Sequence, residues 1–237
     1  MNVILNEVAE DMKGLMKQKI GVIFDMDGVI FDTERLWKNA FERANIKYGL
    51  DLDEGYRQST CGKSEIMIRE ELKRNYPSLA VDEYREFMLQ DVKDSIASGN
   101  FEVKSHFVEL ISCLKSNHVA LALAKSSHKE RAEKLFELKG LSISGIFDAA
   151  VFSEDVGRRS KPDPYIFLKA AERISINPEN CYVLEDSVNG IEAAARGGFL
   201  PIMVVDLIEP NDYCESNTQA IIRDLIEIKD RRLIGDL

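Results

Sequence analysis

The chain has little that would bind a soft metal or cross-link covalently. Its four cysteines, Cys61, Cys113, Cys181 and Cys214, lie far apart with no Cys-x-x-Cys pair. That spacing fits reduced thiols better than disulfides or a zinc site. Only three histidines are present, His106, His118 and His128, so a His-rich metal site is not expected. No apolar run approaches the roughly 18 residues of a membrane span. There is no block of Lys and Arg either. Asp and Glu number 41 against 31 Lys and Arg, for a formal net charge of -10. Such a balance argues against nucleic acid and anionic membrane as partners. Glu7, Glu10, Asp11 and Lys13 stand where the apolar stretch of a secretory signal would be, so a cytoplasmic location is expected. Internal repeats and low-complexity segments are also lacking.

What remains is an ordinary globular composition: 237 residues, 45% apolar and 30% charged, enough for one large domain or two modest ones. Leu5, Val8, Met12, Leu15 and Met16 predict an amphipathic helix over residues 1–18. Residues 20–24 read as a short strand, which Val29, Ile30 and Phe31 continue. From residue 33 to about 99 no strand is expected. Leu36, Trp37, Ala40, Phe41 and Ala44 mark one helix face, and Ile66, Met67 and Leu72 a second, starting near Ser64. Tyr84, Met88, Val92 and Ile96 mark a third. After this helical block, strands near 119–124, 149–152, 181–184 and 202–205 alternate with helices, the last helix running through Ile221, Ile222, Leu225 and Ile226. Alternation predicts an α/β fold, a parallel Rossmann-like sheet with helices on both faces, and the block reads as an inserted all-helical domain. The expected division is residues 1–18 as an N-terminal helix, 19–31 and 103–237 as the core, and 32–102 as the insertion.

The polar residues fall in an informative place. Asp25 and Asp27, Lys125-Ser126-Ser127, and Glu185-Asp186 each follow an apolar strand, and Lys161 lies in the loop after another. In a parallel α/β sheet the carboxyl ends of the strands share one edge, where ligands bind. Any one segment alone reads as a solvated loop or a helix cap; together they point to one crevice. Crowded carboxylates need a cation, and oxygen-only ligands select a hard ion such as Mg²⁺. The chemistry such a site suits is phosphoryl transfer through an aspartyl-phosphate. The metal and Lys161 would screen Asp25 and the phosphate so that two anions can approach.

These segments carry a resemblance. Asp25-Met26-Asp27-Gly28-Val29, the loop at Lys125-Ser126-Ser127, Lys161-Pro162-Asp163-Pro164 and Glu185-Asp186-Ser187-Val188-Asn189-Gly190-Ile191 resemble, in order, the four motifs of the haloacid-dehalogenase-like hydrolases. The branch resembled inserts a helical cap after the first motif. It includes sugar-phosphate phosphatases, phosphoglycolate phosphatases and β-phosphoglucomutase. The resemblance implies that Asp25 is the phosphorylated nucleophile and Asp27 the general acid, then the base for water. It implies that Mg²⁺ is held by Asp25, the backbone carbonyl of Asp27, and Asp186 with Glu185 beside it. Lys161 would orient Asp25 and shield the phosphate. Gly28 falls in the flap between core and cap and, with Lys125, Ser126 and the cap-loop Lys63, is a candidate phosphate or substrate contact.

Two departures stand out. The family has Ser or Thr directly after the second core strand, where strict alignment puts Lys125. A slip of one residue restores Ser126, and the preferred reading turns Lys125 to solvent. The mutases of this branch carry a His four residues beyond a Thr; here Thr33 is followed by Trp37 at that position. The cap loop Cys61-Gly62-Lys63-Ser64 also lacks the mutases' basic pair. The expectation is a Mg²⁺-dependent phosphomonoesterase acting on a small phosphorylated metabolite, as a monomer with a dimer left open. The alternatives are a phosphomutase and a degenerate phosphate-binding module without turnover. His128, the Arg158-Arg159 pair, Trp37 and Phe41 are further candidates, each with a plain alternative as a surface or core residue.

Overall fold

The computed structural model describes residues 19–60, 65–157 and 159–235. The helix expected over 1–18 and the candidate Lys63 lie outside these residues. Six strands form one sheet in the order β3-β2-β1-β4-β5-β6, with every neighbour parallel. They are β1 (Gly21–Phe24), β2 (Ala120–Ala124), β3 (Ala149–Val151), β4 (Cys181–Glu185), β5 (Leu200–Val204) and β6 (Ala220–Ile222). The first strand in the chain therefore lies at the centre. Its last residue, Phe24, pairs with Leu123 of β2 and Leu184 of β4. This register brings Asp25, Lys125 and Glu185 to one edge of the sheet.

Both faces of the sheet are covered, because side chains alternate along each strand. Val22, Phe24, Leu121, Leu123 and Leu184 face α5 (Phe107–Ser116) and α6 (Lys129–Leu138). Phe24 makes edge-on contacts there with Phe107 and Phe147, at ring separations of 6.0 and 5.7 Å. Ile23, Ala122, Ala124 and Val183 face α9 (Tyr165–Ile174) and α10 (Val188–Arg196). The short helices α7 (Ile143–Ile146), α8 (Ser153–Val156), α11 (Asp212–Asn217) and α12 (Ile226–Asp230) complete the layers. Fully burying one such apolar side chain is worth about 1.5–3 kcal/mol, so these stripes decide where each helix docks.

Between β1 and α5 the chain forms α1 (Glu34–Tyr48), α2 (Glu54–Thr60), α3 (Glu65–Asn75) and α4 (Val81–Ala97), with no strand among the described residues. This is the inserted helical cap. Its core joins Leu36, Ala40 and Phe41 of α1 to Tyr84, Met88 and Val92 of α4. The two connections to the sheet run side by side: Asp32 N donates to Glu102 O at 2.9 Å and Lys104 N to Ile30 O at 2.8 Å. No helix among the described residues is long and apolar enough to cross a membrane.

Several local expectations are corrected. Residues 29–31 do not continue β1. The chain turns tightly at Gly28, whose N–H donates to Phe31 O, while Ile30 N and Phe31 N both donate to Met26 O. Ile221 and Ile222 belong to β6 rather than to a helix, since adjacent apolar residues suit a strand buried on both faces. Ile66 and Met67 are 70% and 55% exposed, and Ile68 and Leu72 carry the buried face of α3 instead. The helix α2 was not expected.

Candidate active site

Asp25 follows β1 directly and is 2% exposed. Its backbone N–H donates to Leu184 O at 3.0 Å, which continues the ladder and anchors it beside β4. One of its carboxylate oxygens, Oδ1, accepts from Lys161 Nζ, which also donates to Glu185 Oε1. The other, Oδ2, lies 3.1 Å from Lys125 Nζ. Burial works to raise the Asp25 carboxyl, but the Lys125 and Lys161 ammoniums overcome it and hold the group below its usual value.

Lys125 therefore points into the crevice, and the reading that turned it to solvent is wrong. Its Nζ also lies 3.0 Å from Asp27 Oδ2, and its side chain is only 15% exposed. Two neighbouring carboxylates give a buried ammonium partners that solvent on the far side of the loop does not. Ser126 lines the same cavity of about 580 Å³, with Ser160, Glu34 and the acidic residues.

Asp27 is gripped more tightly than any reading of the sequence suggested. Arg131, on α6, holds it with both guanidinium nitrogens, at 2.9 and 3.1 Å, and Thr33 Oγ1 donates to the same carboxylate. Burial opposes ionisation here as well, yet Lys125 and Arg131 bring the Asp27 carboxyl well below the ordinary range. Its carboxylate is taken up by these partners and is not among the carboxylates that come together in the acidic cluster.

The remaining acidic groups form a separate cluster. Asp25, Glu185 and Asp186 each offer an oxygen within 4.8 Å of the others. Glu185 is fixed by Lys161 and by Ser187, whose N–H and Oγ both donate to Oε2 at 2.8 Å. Asp186 has no hydrogen-bond or salt-bridge partner among the described residues. Burial and the charges of Glu185 and Asp25 push its carboxyl well above the ordinary value. A carboxylate so placed calls for a cation, and three carboxylate oxygens suit a hard divalent ion. Two glycines make room for the cluster. At Gly28, with φ +77°, an added Cβ would lie 2.1 Å from Asp186 Oδ2. At Gly190, on the first turn of α10, it would lie 1.9 Å from Glu185 Cδ.

A second cavity, of about 240 Å³, opens into the cap between α1 and α4 and is lined by Trp37, Phe41, Tyr56 and Met88, among others. Glu34 borders both cavities. The two arginines of the cap cavity, Arg57 and Arg85, are buried and ion-paired with Glu54 and Glu65. His128 turns outward against Glu154, with its side chain 80% exposed, and Arg159 stacks on Tyr165. Neither reaches the crevice. Arg131 and Glu34 were not anticipated. Arg131 follows the Lys125 loop by one helical turn, and Glu34 directly follows Thr33; that proximity to motif residues was the available signal.

A parallel α/β sheet with a helical insertion after its first strand thus carries an acid–lysine crevice at its carboxyl edge. Residues 21–198 match the haloacid dehalogenase-like hydrolase family, and the chain belongs to it. A phosphorylated carbohydrates phosphatase of Thermotoga maritima is 35% identical over 207 residues, covering 85% of this chain and 93% of that protein. The β-phosphoglucomutase of Bacillus subtilis is 30% identical over 190 residues, covering 77% of this chain and 82% of the mutase. In fold, the chain is similar to a crystal structure of a HAD family hydrolase from Deinococcus radiodurans with bound phosphate and sodium. The TM-score is 0.76 at 19% identity, over 92% of this chain and 99% of that one.

Proposed function

We propose that the protein is a Mg²⁺-dependent phosphomonoesterase acting on a small phosphorylated metabolite through an aspartyl-phosphate at Asp25. The observation that carries this reading is the placement of Asp25: a buried carboxylate held by Lys125 and Lys161 beside an acidic cluster suited to a divalent ion. The phosphatase relative supports the reaction class. On this reading residues 32–102 are the cap, and 19–31 with 103–237 the core. The N-terminal residues 1–18 have no assigned part.

Asp25 attacks phosphorus in line with the ester oxygen. Lys161 holds the second carboxylate oxygen so that the attacking one is aimed, and it neutralises charge on the phosphate. Asp25, Glu185, Asp186 and the Asp27 carbonyl would hold Mg²⁺, which supplies charge neutralisation for the approach of two anions. Asp27 protonates the departing alkoxide, then takes a proton from the water that hydrolyses the aspartyl-phosphate. For the first of these roles Asp27 must take up a proton from solvent, and to do so it must give up part of its present grip. An incoming phosphate, competing with Asp27 for Lys125, provides the means. The adjoining cap cavity gives room for the leaving group.

The B. subtilis relative makes phosphomutase the second reading. Trp37 in place of the mutases' His argues against it. So do cap arginines already neutralised by Glu54 and Glu65, which leave little attraction for the second phosphate of a bisphosphate. The test is the purified protein with Mg²⁺ on a panel of sugar phosphates and p-nitrophenyl phosphate, reading inorganic phosphate. Phosphate release is expected, with no isomerisation of glucose 1-phosphate even when a bisphosphate activator is added. Isomerisation with negligible phosphate release would favour the mutase.

A further inference from the structure

Lys125 is the group in the crevice that the family pattern does not account for. It stands at the end of β2, with its backbone N–H donating to Val151 O at 2.9 Å, so the loop fixes where its side chain starts. The ammonium then bridges the two aspartates, 3.1 Å from Asp25 Oδ2 and 3.0 Å from Asp27 Oδ2. Lys161 occupies the other Asp25 oxygen. Both oxygens of the one residue shared by the nucleophile role and the acidic cluster are therefore already paired with a lysine.

Charge bookkeeping shows the consequence. The carboxylates of Asp25, Asp27, Glu34, Glu185 and Asp186 border the crevice, against Lys125, Lys161 and Arg131. A hydroxyl at position 125 would leave one more net negative charge. Coulomb repulsion and attraction inside a partly screened cavity act over this range in opposite senses on the two ligands the site must take. An extra ammonium a few ångströms from Asp25 repels a divalent cation and competes with it for the carboxylate. The same ammonium attracts a phosphate dianion and can donate to it.

Building on the phosphatase reading, we infer that Lys125 is a resident cation that shifts the site's affinity from the metal toward phosphate. It allows phosphate to bind with no metal present, and it weakens divalent binding. A product phosphate held this way leaves slowly, because an interaction shared by substrate and product lowers KM without raising kcat.

The test measures binding rather than turnover. Chelated, metal-free protein is titrated calorimetrically with inorganic phosphate, and separately, without phosphate or chelator, with Mg²⁺ and with Mn²⁺. Lys125→Ser is compared with wild type, Lys125→Met and Lys125→Arg. Wild type and Lys125→Arg bind phosphate without metal. In Lys125→Ser and Lys125→Met that affinity falls by about tenfold or more, while affinity for both metals rises by a similar factor. Lys125→Met keeps the aliphatic stem, so a folding failure of the serine variant does not remove the comparison. Metal affinity unchanged in both neutral variants would overturn the inference, and so would phosphate binding that requires metal in wild type. Turnover of phosphate esters is assayed separately. Turnover with unshifted constants sinks only the Lys125 inference, whereas shifted constants without turnover sink only the phosphatase reading.

Discussion

Asp27 shows how much of a site is set by residues outside its motif. Its position two residues after Asp25 is visible in the sequence, but its charge state is not. That state depends on Lys125 and on Arg131, 104 residues further on, which grips both oxygens. A bidentate guanidinium fixes orientation as well as charge, and a lysine does so less well. Arg131 is thus a positioning residue. Arg131→Met is expected to cut kcat/KM by a factor corresponding to about 1.5–3 kcal/mol, the usual worth of a hydrogen bond to a charged group. The loss should fall on kcat, with KM nearly unchanged and partial recovery in Arg131→Lys. Steady-state kinetics on p-nitrophenyl phosphate read both. The Lys125 side chain was misjudged for a related reason. Motif matching asks which residue type belongs at a position, whereas the fold asks where a crowded set of carboxylates finds its cations.

The elements that carry the site were more legible than their edges. Strand β4 and helix α10 follow from an apolar run ending in Glu185-Asp186 and from an alanine-rich stripe closed by Gly197-Gly198. Ser187 between them caps α10, its Oγ accepting from Gly190 N at 3.1 Å, and at the same time donates to Glu185. One residue thus ends the strand, starts the helix and orients a cluster carboxylate. The errors fell where periodicity is short: the turn at residues 26–31, the three-residue strand β6 and the seven-residue helix α2. Such pieces are held by tertiary contacts that local patterns do not encode. Gly190 tests the α10 junction. Gly190→Ala places a Cβ against Glu185, and overpacking of this kind costs about 1–3 kcal/mol. Urea denaturation should show a loss of that size, and Mn²⁺ affinity should fall with it as Glu185 is displaced.

At the scale of the whole molecule, the sheet gathers carboxylates whose mutual repulsion only a cation relieves. A ligand that binds the folded chain alone stabilises it by mass action. Mg²⁺ is therefore expected to raise the melting temperature of the wild type and to restore activity abolished by EDTA. In Asp186→Ala both effects should require far more metal. Activity that survives exhaustive chelation would remove the metal from the account. The parallel core and the helical insertion followed from the order of strands and helices in the sequence. The pairing of cap arginines with cap glutamates did not, since it joins side chains on different turns and helices.

On the proposed mechanism Asp25 is phosphorylated during turnover. The direct measurement is to quench the enzyme with acid while it is turning over a phosphate ester labelled at phosphorus, and to map the label by peptide mass spectrometry. Hydroxylamine-labile label is expected on the peptide containing Asp25, with neither label nor turnover in Asp25→Asn, which keeps the side chain's size. Sustained phosphate release by Asp25→Asn, or label found only elsewhere in the chain, would contradict that mechanism.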